Sequence, residues 1–208
     1  MRGIILGTGP SVTPEVIEQL QSTRLPIFGC NNSYQIATLT ALLSCNIEWW
    51  DYYWKADPEL REASFDKWTW SRETADKYDI NYIAGDWGDG LSTTPGLIHY
   101  GHSSGYQILN LATVQYGVTE AILVGYDLRY PGKYDGTKRI NGGARHYFGE
   151  YPKELQHWTR FNMGENGELN GLLTCYRGIK TGENLRIINC SPGSALDFFE
   201  MGRLSEWI

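Results

Sequence analysis

The chain has 208 residues, of which 41% are hydrophobic and 20% are charged, and its formal net charge is -6. This length and hydrophobic content suffice for one buried core, so we expect a single domain over residues 1–208. Lys and Arg form no extended run and are outnumbered by Asp and Glu, which disfavours a protein that binds nucleic acid mainly through phosphate charge, although residues 129–145 contain a local basic patch. No segment approaches the roughly 20 apolar residues of a membrane-spanning helix.

The first elements are predicted directly from the N-terminus. Residues 2–7 form a short apolar run closed by a glycine, which is typical of a buried parallel strand. A helix is expected to begin near Pro14, because proline suits the first helical turn. The N-terminus has neither the charged leader nor the apolar stretch of a signal peptide, so the expected location is cytoplasmic.

The next part of the chain continues the alternation. A strand is predicted at 25–30, helical structure at 33–43, and a third strand at 47–50 that ends at Asp51. Residues 80–84 indicate a fourth strand.

The second half contains the clearest helix. Residues 104–116 follow the helical period and end at Gly117, whereas the Gly- and Asp-rich residues 85–101 indicate a loop. Residues 121–125 predict a strand that is buried on both faces. The Gly- and Tyr-rich residues 128–150 have few aliphatic side chains and predict a lid over a site.

Toward the C-terminus, residues 150–161 are expected to be helical, 185–190 to form a last strand and 194–201 a short helix. Alternating strands and helices predict an α/β fold. We expect one Rossmann-like domain with a mostly parallel, twisted sheet of about six or seven strands, helices on both faces and a small lid. Ligands of such folds bind at the carboxyl ends of the strands.

Small polar turns follow several of the predicted strands and can converge on one pocket. Glycines allow close approach of the backbone to a phosphate, helix N-termini favour negative charge, and Asn amides can bind a base or a sugar hydroxyl. The alternatives are plain tight turns, simple helix caps and Asn in left-handed turns. The candidate nucleotide- and substrate-binding residues are Gly7, Thr8, Gly9, Ser11, Asn31, Asn32, Asp51, Ser103, Ser104, Gly105 and Asp127.

The catalytic candidates lie in the predicted lid. His146 is a candidate general base, since histidine is the side chain most readily poised for proton transfer near neutral pH, although a structural histidine is the alternative. Tyr130 and Tyr134 can donate hydrogen bonds to a leaving phosphate, or they can be solvent-facing loop residues. His99 and His102 lack matching carboxylates and the four cysteines have no CxxC spacing, so neither a metal nor a resident cofactor is expected.

In this order the motifs resemble those of the bacterial sialyltransferases that build lipooligosaccharide outer cores, and of phage-encoded relatives. That family has Gly-Asn-Gly-Pro-Ser after its first strand, Arg-Cys-Asn after the second, Thr-Ser-Gly before a helix, then Gly-Ile-Asp-Phe-Tyr, and His-Tyr-Ile-Gly-His in its lid. The matching segments here are Gly7-Thr8-Gly9-Pro10-Ser11, Gly29-Cys30-Asn31, Ser103-Ser104-Gly105, Gly125-Tyr126-Asp127 and His146-Tyr147-Phe148-Gly149.

The resemblance implies a metal-independent glycosyltransferase whose co-substrate is a nucleotide sugar, such as a CMP-sialic acid-like donor. It implies that His146 removes the proton of the acceptor hydroxyl and that the lid tyrosines assist departure of the nucleotide phosphate. The sequence departs from the family at Thr8, which replaces an Asn, at Gly101, which replaces an arginine, and at Asp51, where the family has an Asn. Another nucleotide sugar is therefore an alternative donor.

The acceptor is expected to be a glycan or another hydroxyl compound, and the acidic balance disfavours a nucleic acid. One alternative function is that of a nucleotide-dependent, pyrophosphokinase-like enzyme, which would need Mg²⁺. Another is a non-catalytic module for phage or host interactions, with the aromatic-rich residues 49–87 as its interaction face. The sequence leaves the oligomeric state open, a homo-oligomer included, and is compatible with a phage-encoded protein in the host cytoplasm.

Overall fold

A computed structural model describes residues 1–208 except for 132, 135–138, 141–142, 159–163 and 165. The strands are β1 (Arg2–Leu6), β2 (Ile27–Cys30), β3 (Ala41–Leu43), β4 (Asp66–Thr69), β5 (Asn81–Tyr82), β6 (Ala84–Asp86), β7 (Leu97–His99), β8 (Glu120–Val124), β9 (Lys133–Tyr134), β10 (Arg139–Ile140), β11 (Arg186–Asn189) and β12 (Glu200–Met201). The helices are α1 (Pro14–Ser22), α2 (Ile47–Ala56), α3 (Pro58–Glu62), α4 (Arg72–Tyr78), α5 (Ser104–Val114) and α6 (Asn170–Arg177).

The main sheet has eight strands in the order β12-β11-β8-β1-β2-β3-β4-β5, and every neighbouring pair is parallel. From β1 the chain builds the sheet in one direction as far as β5. It then returns to place β8 on the other side of β1 and continues to β12. The order therefore reverses between β1 and β8, which is the position where open α/β sheets form a ligand crevice.

Two hydrophobic cores lie on opposite faces of this sheet. Ile5, Leu123 and Ile187 face the core that α5 completes, whereas Ile4 and Ile122 face the core that α1 and α2 complete. Side chains of successive strand residues point to opposite faces, so apolar runs are needed where both faces are covered. The predicted mixed α/β fold with a mostly parallel sheet is confirmed, with eight strands rather than six or seven.

Local sequence explains the ends of the two helices nearest the reversal point. Thr13 caps α1 by accepting a hydrogen bond from the Val16 N–H, and Pro14 occupies its first turn. Ser103 caps α5 in the same way through the Tyr106 N–H, and Gly117 follows this helix with a left-handed φ of 69°. The predicted strands at 2–7, 121–125 and 185–190 and the predicted helix at 104–116 are confirmed within two residues at each end.

Three predicted elements are wrong. Residues 33–43 contain a 3-10 turn (Asn31–Gln35) and β3 instead of a helix, and residues 194–201 contain β12 instead of a helix. Residues 47–50, predicted as a strand, begin α2, because Trp49 and Trp50 bury their rings against the sheet in helical geometry. Large aromatic residues favour strands locally, and tertiary burial overrides that preference here.

Other segments hold more structure than predicted. The predicted loop 85–101 carries most of a small two-stranded parallel sheet of β6 and β7, and the Gly-rich residues after 162 include α6. Of the predicted lid 128–150, the described residues include the antiparallel pair β9–β10 and a turn closed between His146 and Gly149. No helix among the described residues is both long and apolar enough to cross a bilayer.

Candidate functional site

A cavity of about 260 Å³ lies at the carboxyl ends of β1 and β8, where the strand order reverses. The turns after β1, β2, β3 and β8, the start of α5 and part of the predicted lid surround it. Its lining includes Gly7, Thr8, Gly9, Asn31, Ser103, Ser104, Gly105, Asp127, Tyr130 and His146. The structure thus brings ten of the fourteen sequence-predicted site residues to one cavity.

The turns after β1 and β8 are joined to each other. The Gly9 N–H donates to the Gly125 carbonyl at 2.9 Å, and the Ser11 hydroxyl donates to the Asp127 carboxylate at 2.8 Å. A Cβ on Gly9 would stand 1.8 Å from Oδ2 of Asp127, so only glycine allows this approach. Burial raises the pKa of Asp127, and the hydrogen bonds from Ser11 oppose that rise. Ser11 does not line the cavity, and its observed role is to hold Asp127 in place.

The two adjacent asparagines have different surroundings. Asn31 lines the cavity with a left-handed φ of 49°, and its buried Oδ1 has no hydrogen-bond partner among the described residues. Asn32 is 2% exposed and accepts a hydrogen bond from the indole N–H of Trp49 at 2.9 Å. Asn32 was predicted to bind nucleotide, but the structure places its amide against the core rather than in the cavity.

The N-terminus of α5 opens onto the cavity. Ser103 is the cap, and the first N–H groups of a helix, here those of Ser104 and Gly105, have no partner within the helix. The buried Ser104 hydroxyl accepts the Cys45 N–H at 2.9 Å and lies 3.0 Å from the Cys45 sulfur. This terminus therefore presents N–H donors and the positive end of the helix dipole to the cavity, which suits an anionic group.

His146 contacts the turn after β1. Its Nδ1 lies 3.0 Å from the Thr8 hydroxyl, and its ring stacks on Phe148 with a 4.9 Å centroid separation. The Tyr147 N–H donates to the Thr8 carbonyl at 3.0 Å, which fixes the segment there. Thr8, a departure from the resembling family, thus supplies the protein partner of the imidazole.

The pKa of His146 is lower than the sequence suggests. Burial, with a smaller contribution from the positive charge of Arg145, lowers the pKa of His146 to about 4. The imidazole is therefore neutral at pH 7, and its pKa lies below the range near neutral pH that is usual for a histidine general base.

Cationic side chains approach the cavity from the predicted lid. Arg129 forms an ion pair with Glu168 at 3.5 Å, and Arg145 forms one with Glu150 at 3.4 Å. The Arg145 guanidinium also lies 5.3 Å from the centre of the Tyr130 ring. Of the two predicted lid tyrosines, Tyr130 therefore lies at the cavity, and the side chain of Tyr134 lies outside the described part of the structure.

Asp51 and Gly101, two departures from the resembling family, have structural explanations. Asp51 lies on α2, not at a strand end, and its carboxylate pairs with Lys77 at 2.7 Å and accepts the Tyr78 hydroxyl, away from the cavity lining. Gly101 has a left-handed φ of 51°, and a Cβ there would stand 1.9 Å from the Tyr106 ring. The arginine of the resembling family has no room at this position.

One wall of the cavity was not anticipated. Cys45 and Asn46 follow β3, whose position was mispredicted, and Leu169 and Leu172 belong to the start of α6, which lies in a Gly-rich region. The two leucines are three residues apart, and this helical spacing was the sequence signal that could have predicted α6. The wall is completed by Cys30, Tyr126, Tyr151, Leu155 and Tyr176.

The described residues contain no group of three or more His, Cys, Asp or Glu side chains arranged to hold a metal ion. Comparisons of the chain with protein-family models, with curated proteins and with solved structures give no match in any of the three.

Proposed function

We propose that this protein is a glycosyltransferase that moves a sugar from a nucleotide-activated donor to a hydroxyl acceptor. One observation carries the proposal: the strand-end turns, the open N-terminus of α5 and a neutral, half-buried imidazole all face one cavity at the reversal point of the sheet. That combination offers an anion site beside a proton acceptor. Transfer of a sugar from a nucleotide phosphate to a hydroxyl group needs both.

The nucleotide portion of the donor would occupy the cavity. At about 260 Å³ it is slightly smaller than the roughly 300–1,000 Å³ of ordinary small-molecule sites, so the transferred sugar would lie toward the opening. The phosphate would bind at the N–H groups of Ser104 and Gly105. The unpartnered Oδ1 of Asn31 is available to accept a hydrogen bond from a base amine or a ribose hydroxyl, and the apolar wall would contact the base.

His146 is our candidate for the general base. Acceptance of a proton at Nε2 requires the tautomer in which Nδ1–H donates to the Thr8 hydroxyl, which lies 3.0 Å from Nδ1 and can act as either donor or acceptor. A pKa of about 4 makes the free imidazole a weak base that is always available at neutral pH. A bound anionic donor would raise this pKa, because negative charge stabilises imidazolium. Basicity would then increase when the donor is in place.

The departing nucleotide phosphate would be stabilised from the lid side. Tyr130 and Arg129 line the cavity, and Nε of Arg129 is buried with no hydrogen-bond partner among the described residues. The guanidinium would neutralise charge that develops on the phosphate, and the phenol would donate a hydrogen bond to it. From the family resemblance we extend this role to Tyr134. The described lid residues at the cavity, Tyr130 and His146 among them, would exclude water from the donor and limit hydrolysis.

The test is release of free nucleotide from CMP-, UDP- and GDP-sugars in the presence of pooled saccharide acceptors. We expect His146→Ala to abolish turnover and to leave the affinity for the released nucleotide nearly unchanged, since the imidazole acts on the acceptor. Phe198→Ala, at an exposed residue outside the cavity lining, is the control and should retain full rates.

Full turnover by His146→Ala would refute the assigned role. We also expect transfer to continue in the presence of a chelator. Loss of activity on chelation, with recovery on addition of Mg²⁺, would favour the pyrophosphokinase-like alternative.

A further inference from the structure

Four aromatic rings form a continuous row that leads to the cavity. Trp70 directly follows β4, Trp87 follows β6, Tyr100 follows β7, and the last ring is that of His102. Successive ring centroids, from Trp70 through Tyr100 and Trp87 to His102, are 5.0, 5.1 and 4.8 Å apart. His102 is part of the cavity lining, so this aromatic row is continuous with the candidate site.

The row is open to solvent at its centre. Trp87 is 64% exposed, whereas Trp49 and Trp50 are completely buried. His102 is also exposed, at the mouth of the cavity. An indole that remains exposed beside a cavity is more informative than a scattered surface residue, because exposed apolar surface of this kind commonly marks a binding site.

Close packing against glycines and hydrogen bonds to the backbone fix the segments that carry the row. Gly85 lies under the Tyr100 ring and Gly88 lies under the His99 ring, and a Cβ at either glycine would stand 2.3 Å from a ring carbon. The Tyr100 N–H donates to the Asp86 carbonyl at 3.0 Å, and the Gln107 amide donates to the Tyr100 carbonyl at 2.9 Å. A surface fixed in this way loses little conformational entropy when it binds a ligand.

The charge around the row indicates what it can bind. The exposed Asp86 and Asp89 flank Trp87, and the cation nearest to the row along the chain, Arg72, lies over the Tyr82 ring at 3.6 Å. Carboxylates repel a phosphate backbone and accept hydrogen bonds from hydroxyl groups. The negative face of an indole attracts the weakly positive C–H groups of a pyranose ring. These features favour a neutral saccharide over a nucleic acid.

We propose that the aromatic row is a saccharide-binding surface on which a neutral sugar ring stacks against Trp87. Its position places the next sugar unit beside His102 at the cavity mouth, which makes the bound saccharide the acceptor. The acceptor role rests on the proposed transferase function, whereas saccharide binding by the row does not.

The experiment measures binding of the full-length protein to neutral oligosaccharides that end in glucose, galactose, mannose or N-acetylglucosamine. Saturation-transfer-difference NMR is recorded with and without CMP, and an oligothymidine strand is the nucleic-acid probe. We expect at least one saccharide to bind and Trp87→Ala to weaken it about tenfold or more, as for other aromatic anchors. Trp87→Phe should restore most of the affinity, and Phe198→Ala should have no effect.

The proposal is overturned if no saccharide binds under either condition, or if Trp87→Ala binds as well as the wild type. Oligothymidine binding that depends on Trp87 and displaces the saccharide would overturn it in favour of a nucleic-acid surface. Melting temperatures with nucleotides, measured on the same samples, separate the two proposals. Trp87-dependent saccharide binding without any nucleotide binding refutes the transferase alone, and nucleotide binding without saccharide binding refutes the aromatic row alone.

Discussion

Two groups of aromatic residues in this chain have opposite surroundings. Helix α2 buries Trp49 and Trp50 completely against one face of the sheet, whereas the aromatic row leaves Trp87 64% exposed beside the cavity. Trp49, Trp50 and Trp87 all lie in the stretch 49–87 that was predicted as one possible interaction face, whereas Tyr100 and His102 of the row lie beyond it. The difference shows that only the second group is available to a ligand, because the first forms part of a core.

The largest expected effect is on the buried group. Trp50 is fully buried, packs at right angles to Trp49 with centroids 5.0 Å apart, and donates its indole N–H to the Ser44 carbonyl. Trp50→Ala should lower the free energy of unfolding by about 3–5 kcal/mol, because it leaves a cavity and an unpaired carbonyl. Urea denaturation measures the change.

The matched control is Trp87→Ala, the same substitution in the exposed group. Its effect on the free energy of unfolding should lie within about 0.5 kcal/mol. Equal losses in the two variants would show that the distinction between core and surface aromatics is wrong.

The second prediction concerns the pH dependence of stability. The pKa of His146 is lowered in the folded protein from 6.5 to about 4, so the unfolded chain binds the proton more tightly. The associated stability is fully present above pH 6.5 and is lost as the pH falls toward 4, by up to about 3 kcal/mol. In His146→Gln this contribution should be absent, and the difference between the two unfolding curves across that pH range measures it. Parallel curves from pH 7 to pH 4 would contradict the lowered pKa of the half-buried imidazole.

A smaller difference is expected between the neighbouring asparagines. Asn32→Ala removes the acceptor of the buried Trp49 indole and should cost about 1–3 kcal/mol in the free energy of unfolding. Asn31→Gly keeps the left-handed backbone and should have little effect on stability. It should instead reduce the stabilisation that nucleotides give to the wild type. A reversed pattern would mean that the cavity-facing and core-facing amides have been exchanged.

The sequence predicted the part of the fold that lies around the reversal point. The apolar runs of β1, β8 and β11 and the capped α5 have strong local signals, and they position the turns of the cavity. The small polar turns were recognisable because they follow these strands. The prediction that these turns converge on one pocket identified Gly9 and Ser103 as cavity residues without any knowledge of side-chain geometry.

The rest depended on long-range packing. Whether Trp49 lies in a helix or in a strand is decided by its contacts with the sheet. The wrong prediction of a strand at 47–50 also led to the wrong prediction that Asp51 lies at the cavity. Asn31 and Asn32 are adjacent residues of the same type, so the sequence cannot distinguish them. Only the tertiary structure places Asn31 at the cavity and the Asn32 side chain against Trp49. The aromatic row likewise depends on the close approach of Gly85 to the Tyr100 ring, which no local pattern reveals.

The most direct test of the central claim is the melting temperature of the wild-type protein in the presence of cytidine, uridine, adenosine and guanosine mono- and diphosphates. A nucleotide at about one hundred times its dissociation constant should stabilise the native state by about 2.7 kcal/mol, which corresponds to a rise of about 5–10 °C for a chain of this size. The rise should diminish in Asn31→Gly and persist in Trp87→Ala. An unchanged melting temperature with every nucleotide would contradict a nucleotide site at the carboxyl ends of β1 and β8.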